Sequence, residues 1–570
     1  MAETLISPGV LARENDQSFV TSQPVERGAA IIGPAVLGPV EKPTLVSSFS
    51  SYQAIFGGTL ESGSNEFTYL TSIAANQYFQ NGGSSLLVTR VTSGSFTPAT
   101  SSLIFDLKLL NNAFELETIS EGEVMNTGVA ETTNGALATG SSDNVRWEVA
   151  AVNTSSGVFS LLIRRGDDTN SNKVILESYN NISLDPFASN YISRAIGDIS
   201  TTLVTEGADT FLQESGSFPN ISNYVRVKSV TPTPNYFNND GTPKNKFTGS
   251  LPQVGSGSFN GAAGSNIPSG RAANFYEKIN ATDTQGLVGS DYNNAIALLA
   301  SKDDYQFNVI SVPGLTNQDH AAQITSVINN SISRGDNIAV IDLVRYNSPI
   351  TTVTTQAGGI DNSYAAAYWP WLQTVDPSSG MLVYIPASTF IPGIYAFTDA
   401  SSDPWFAPAG ITRGGMGQVV RAERKLTSTN RDTLYEANVN PIATLASQGV
   451  VVFGQKTLQK AASALDRVNV RRLLITLKSF ISQIADNLVF EQNTIATRQN
   501  FLTQVNPYLE SVQQRQGLYA FKVVMDESNN TPDVIDRNEL VGQIFLQPTK
   551  TAEFILLDFN ILPTGATFPA

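Results

Sequence analysis

Cysteine is absent from all 570 residues, so neither a disulfide nor a thiolate metal site can form. Histidine occurs once, at position 320, in a polar context with no nucleophile motif near it. Charged residues make up only 15% of the chain, and acids outnumber bases 50 to 35. The net charge of −15 disfavours nonspecific binding to nucleic acid or anionic membranes. No apolar run reaches the roughly 18 residues that a membrane span requires. The opening MAETLISPGVLARENDQ has no basic stretch followed by an apolar one, which predicts no secretory signal and synthesis in a cytoplasm. A phosphate-binding loop is missing too. Gly410–Gly417 (GITRGGMG) is glycine-rich, but Gln418 and Val419 follow where Lys and Ser or Thr would open a helix. Those glycines read instead as sites of close backbone packing, with Arg413 as a contact.

What is present is globular. Hydrophobic residues reach 41%, and the length exceeds a single core, so about two to four domains are expected. Ala29–Gly33 and Leu86–Val91 read as buried strands around a helical stretch, Glu66–Phe79. From Ser93 the texture changes to short strands, Val145–Val152, Val158–Arg164 and Lys173–Tyr179, which suggest an inserted sandwich or barrel. Pro232–Ser269 is dense in Pro, Gly, Asn and Ser and reads as a long irregular connection. Alternation of helix and strand returns with Tyr292–Ala300, Phe307–Val312, His320–Arg334, Ile338–Leu343 and Gly380–Pro386. The expected fold class is α+β and multidomain. One αβ core is built from N-terminal and C-terminal segments, with an inserted β-sandwich or barrel-like domain.

Catalytic chemistry finds no support. Asp303–Asp304 and Asp167–Asp168 lie in turn-like contexts and read as solvated loops, and His320 reads as solvated or capping. Both Arg-Gly-Asp triplets, Arg165–Asp167 and Arg334–Asp336, read as turns. No catalytic residue, cofactor or metal is expected.

The last quarter carries more. In Asn469–Asn493, Val470, Leu473, Leu474, Leu477, Ile481, Ile484 and Leu488 recur at steps of three and four, the stripe of an amphipathic helix. Arg471 and Lys478 share one flank of it. A second helical stretch leads to a strand, Glu553–Ile561 (EFILLDFNI).

Several ordered segments resemble contractile tail sheath proteins. Ser7–Pro8–Gly9–Val10 is similar to that family's N-terminal arm motif. Ser120–Glu123 with Asn126 is similar to a turn of its inserted β domain, though Val124–Met125 stand where Trp-Gly is frequent. Val174–Pro186 and Asn190–Asp198 resemble the phage version of that domain. Pro404–Gly410 with Arg413–Gly414, Asn440–Pro441, Gly449–Gly454, Asp466–Leu474 and Phe490–Gln492 resemble the family's most specific set.

The resemblance implies a structural subunit of stacked six-subunit rings around a tail tube. The sheath would assemble extended and contract on a baseplate signal, driving the tube through a host envelope for genome ejection. The alternative is the sheath of a bacterial contractile injection system with a protein payload. Implied partners are further copies of the chain, joined through N- and C-terminal arms, together with tube, baseplate and tail terminator proteins. Neither direct nucleic-acid contact nor membrane insertion is implied, and the implied location is the virion tail, assembled in a host cytoplasm. The implied division is an arm over residues 1–23, core over 24–92, an outer β domain over 93–200, a connection or second insertion over 201–280, core over 281–440, an inner domain over 441–550 and a strand arm over 551–570. Arg467, Arg471 and Lys478 are the candidate tube contacts. Pro8, Gly9, Val10, Phe554, Leu556 and Phe559 are the candidate arm residues.

Overall fold

A computed structural model describes residues 27–62, 65–128, 132–207 and 209–553. The chain divides into two compact units, Arg27–Thr476 joined by the residues from Thr551, and Leu477–Lys550.

The first unit is organised by an eight-stranded sheet. Its order is Thr44–Val46, Leu86–Arg90, Ala29–Gly33, Val309–Thr316, Ile338–Asp342, Ala365–Trp369, Asn440–Leu445 and Gly449–Val452. The six inner strands run parallel, and the two edges pair antiparallel. Parallel strands are covered on both faces, so they read as unbroken apolar runs. AAIIG, IAVID and AAAYW are buried at every position. Alternation then sorts the side chains between two cores. Ala29, Ile31, Ile338 and Val340 join one cluster with Tyr52, Leu70 and Ile73, while Ala30, Ile32, Ala339 and Ile341 join another with Ile324, Val327 and Val353.

Ala29–Gly33 lies beside Val309–Thr316, although 275 residues separate Gly33 from Val309 in the sequence (309 − 33 = 276 steps). Within that gap lies a second, antiparallel sheet. Its order is Ile175–Ser183, Val158–Arg165, Val145–Asn153, Gly255–Asn260, Pro98–Ser101, Asn112–Glu121 and Val225–Val230, with Ile104–Phe105 on the side of Asn112–Glu121. Phe114 and Phe159 stand four strands apart in this order, yet their rings stack at 5.4 Å. Strands spaced about 4.8 Å apart would hold them far out of contact in a flat sheet, so this sheet curls back on itself.

Two sequence expectations change here. Within Pro232–Ser269, read as an irregular connection, Gly255–Asn260 is an interior strand of the inserted sheet. GSGSFN shows no apolar alternation because its packing is supplied from opposite. Gly257 pairs with Trp147, and a Cβ there would stand 2.5 Å from the indole. Leu382–Ile385, within the expected strand Gly380–Pro386, belongs to a separate three-stranded antiparallel sheet with Leu372–Val375 and Val419–Ala422.

Candidate functional site

The unit Leu477–Lys550 holds the helix Ile495–Gln514, whose Phe501, Val505, Leu509 and Val512 are buried. Phe480 stacks on Tyr508 at 3.8 Å between ring centres. Against this helix lies a sheet of only two strands, Leu518–Val524 and Gln543–Pro548. Each strand has one edge without a backbone partner among the described residues. In Gln543–Pro548 the apolar Ile544 and Leu546 are half-buried, while Gln543, Phe545 and Gln547 are exposed. Tyr519 and Phe545 are 63% and 56% exposed. Two strands alone are marginal in water, and exposed backbone edges are templates for another strand.

The first unit carries a different construction where its described chain ends. Arg467 donates from Nε to Glu553 Oε1 at 2.7 Å and from Nη2 to Oε2 at 3.0 Å, a bidentate pair. Tyr435 donates its hydroxyl to Glu553 Oε2 at 2.5 Å, and Gln455 donates to Oε1 at 3.0 Å. Gln455 also donates to Thr551 Oγ1 at 2.6 Å. Burial pushes the Glu553 carboxyl up, but the bonds from Arg467, Tyr435 and Gln455 outweigh it and hold the group below its ordinary range. Arg467 is steered to this place by position, one residue before the helix Val468–Asp486, with Asp466 at 3.0 Å on its other side.

The three basic candidates therefore have different surroundings. Arg467 is the clamp on Glu553. Arg471 is 4% exposed, lies over the Tyr364 ring at 4.0 Å, and donates to the Ser363 carbonyl at 3.2 Å. Lys478 is exposed. Next to Arg471, Arg472 pairs with Asp399 over the Tyr395 ring, a buried brace that periodicity did not single out. Pro8, Gly9, Val10, Phe554, Leu556 and Phe559 lie outside the described residues.

Other residues weighed for chemistry are structural. His320 occupies the position before helix Ala321–Arg334 and is buried rather than solvated, with the Thr316 N–H donating to Nδ1 at 3.3 Å. Asp168 is also buried, held by Arg164 at 2.7 Å and Arg146 at 3.5 Å, so the Asp167–Asp168 loop is only half solvated. Asp303 and Asp304 are exposed in a turn. Gly414 meets the backbone of Ala409 and Val452 so closely that a Cβ would stand 2.9 Å from both. Among the described residues, no group of acids and histidine is arranged to hold a metal, and no helix is long and apolar enough to cross a membrane.

Sequence comparison accounts for this layout. The profile for the phage tail sheath protein central domain matches residues 285–458, and that for the phage tail sheath C-terminal domain matches residues 460–561. The chain is 40% identical over 216 residues to the tail sheath protein of Vibrio phage KVP40. It is 35% identical over 230 residues to that of Enterobacteria phage T4. Residues 285–561 carry phage tail sheath domains. These alignments cover 38% and 40% of this chain and only 31% and 35% of the two relatives. A sheath tail protein from Listeria innocua shares the fold, with a TM-score of 0.52 at 12% identity, over 93% of this chain and 96% of that one. The matched central domain contains the parallel strands from Val309 to Leu445 and the antiparallel edge Gly449–Val452, and the matched C-terminal domain contains the two-stranded sheet and Glu553.

The two-stranded sheet was not singled out from sequence. Its signal was present in LYAFKVV and QIFLQP, short alternating runs on either side of a polar stretch.

Proposed function

We propose that this chain is a structural, non-enzymatic subunit of a contractile phage tail sheath. It polymerises as stacked rings around a tail tube and contracts to drive that tube through a cell envelope. The observation that carries this reading is the sheet Leu518–Val524 and Gln543–Pro548, two strands whose outer edges have no backbone partner among the described residues. Neighbouring copies would complete it with their own terminal segments, residues 5–14 and 554–561, by adding strands. Such links rest on backbone hydrogen bonds and tolerate rigid-body rotation of the bodies they join. Contraction by that route draws on contacts arranged at assembly and needs no nucleotide chemistry. The phage tail sheath domains over residues 285–561 and the phage origin of both relatives support the virion tail as its place.

The Arg467 clamp would fix the root of the departing segment on its own subunit. A tube contact through the basic helix flank would rest on Lys478, which is exposed, whereas Arg471 is buried. The inserted sheet would form a barrel-like body on the outer surface, where an insertion is tolerated.

Removing residues 554–570 tests the reading. Polymers should vanish from negative-stain fields while the circular-dichroism melt of the subunit stays as in the full chain. Striated cylinders at the normal yield would overturn the exchange of terminal segments.

A further inference from the structure

Phe490 is the most exposed large apolar residue among those described, at 100%, and it sits at φ 72°. A non-glycine residue in that region costs roughly 1–2 kcal/mol and persists where its surroundings impose it. Here they do. The Val489 N–H donates to the Asp486 carbonyl and the Glu491 N–H to the Leu488 carbonyl. Asn493 Nδ2 donates to the Glu539 carbonyl at 2.8 Å and to Asn530 Oδ1 at 3.2 Å. The ring is thus held out into solvent by a braced loop. Beside it lies a groove of about 1020 Å³, walled by Ile481, Leu488, Phe501, Met525, Leu540 and Ile544, with Phe490 on its rim.

Ile544 belongs to Gln543–Pro548, so the groove is continuous with the strand edge assigned above to a neighbouring copy. Residues 554–561 read FILLDFNI. In an extended strand, successive side chains face opposite sides. One side then carries Ile555, Leu557, Phe559 and Ile561, wholly apolar, and the other carries Phe554, Leu556, Asp558 and Asn560.

We infer that the groove receives the Ile555, Leu557, Phe559 and Ile561 face of a second copy's segment, and that Phe490 is the lid that closes over it. This rests on the reading that copies exchange terminal segments, and adds the side-chain pocket and the facing that such an exchange uses. The braced turn holds Phe490 at the rim, with its ring in solvent and the groove beside it.

The test uses the full-length chain and a labelled synthetic peptide spanning residues 553–563, followed by fluorescence anisotropy. Phe490→Ser and Leu540→Ser should each weaken peptide binding about tenfold or more. Because Phe490 is wholly exposed, Phe490→Ser should leave the melting temperature unchanged. A peptide with Ser at 555, 557 and 559 should lose binding, whereas one with Ser at 554 and 556 should retain most of it. Equal binding by wild type and Phe490→Ser, or indifference to which face is altered, overturns the lid and groove while leaving segment exchange intact. Failure of the wild-type peptide to bind overturns this inference. If chains lacking residues 554–570 also polymerise, the exchange itself falls.

Discussion

Asp342 ends a parallel strand with its carboxylate 4% exposed, and its described partners are the backbone N–H and hydroxyl of Ser388. Burial pushes it up from the ordinary 3.8 to about 7, against the pull of those two bonds. Its folded-state value is raised, so its contribution to stability is complete below pH 3.8 and is lost as pH rises through about 7. Asp342→Asn keeps the shape and the Ser388 contacts without the charge. It should raise the melting temperature at pH 9 by about 2–6 °C and change it little at pH 5, by differential scanning calorimetry. An equal change at both would refute the assignment. Glu423, pushed up to about 7 by burial, adds a contribution of the same sign. Glu553 works in the opposite direction. Its folded-state value is depressed, so the clamp is complete above its ordinary 4.5 and fails as pH falls through the lower folded value. Glu553→Gln should make limited proteolysis beyond Lys550 faster than in wild type at pH 7. Unchanged cleavage would remove the clamp from the argument.

At the scale of elements, the amphipathic stripe illustrates what periodicity does and does not say. Val470, Leu473, Leu477 and Ile484 are buried as their spacing requires, and the helix Val468–Asp486 follows. The expected continuation to Asn493 stops at Asp486, because Phe490 turns to positive φ and a new helix starts at Ile495 with the Thr494 hydroxyl accepting from the Thr497 N–H. The flank was read as a row of surface cations. Arg471 is drawn inside because Tyr364 supplies a ring face and Ser363 two acceptors, partners that lie 107 and 108 residues away in sequence (471 − 364 and 471 − 363). The open sheet edges make their own prediction. Placing Pro at Ile544, Ile544→Pro, removes one backbone donor from Gln543–Pro548 and should abolish polymers, as seen by sedimentation. Phe545→Lys, which leaves that backbone intact, should reduce polymer yield less. The reverse ranking would mean that side chains, not strand pairing, hold the copies together.

For the whole molecule, a net charge of −15 means that copies repel one another before they pack. Raising ionic strength from about 20 mM to about 200 mM shortens the screening length to within a residue or two, so less protein should be needed for polymers to form in light-scattering titrations. Dissolution by salt would instead mean that complementary ion pairs dominate the contacts. The core strands were legible in sequence because strands buried on both faces read as apolar runs, as Ala29–Gly33 and Ile338–Ile341 do. The interruption of that core was legible as a change to short strands. Gly255–Asn260 was not, since its packing comes from Trp147 across the sheet rather than from its own residues. By itself the sequence determined the element types, the absence of thiol chemistry, the acidic surface and the sheath resemblance, all of which depend on residue type and local spacing. Only the tertiary structure decided which cations are enclosed, that Glu553 meets Arg467, and that a two-stranded sheet, its outer edges unpaired among the described residues, stands beside an apolar groove. Those outcomes depend on which distant residues become neighbours, and local patterning carries no record of that.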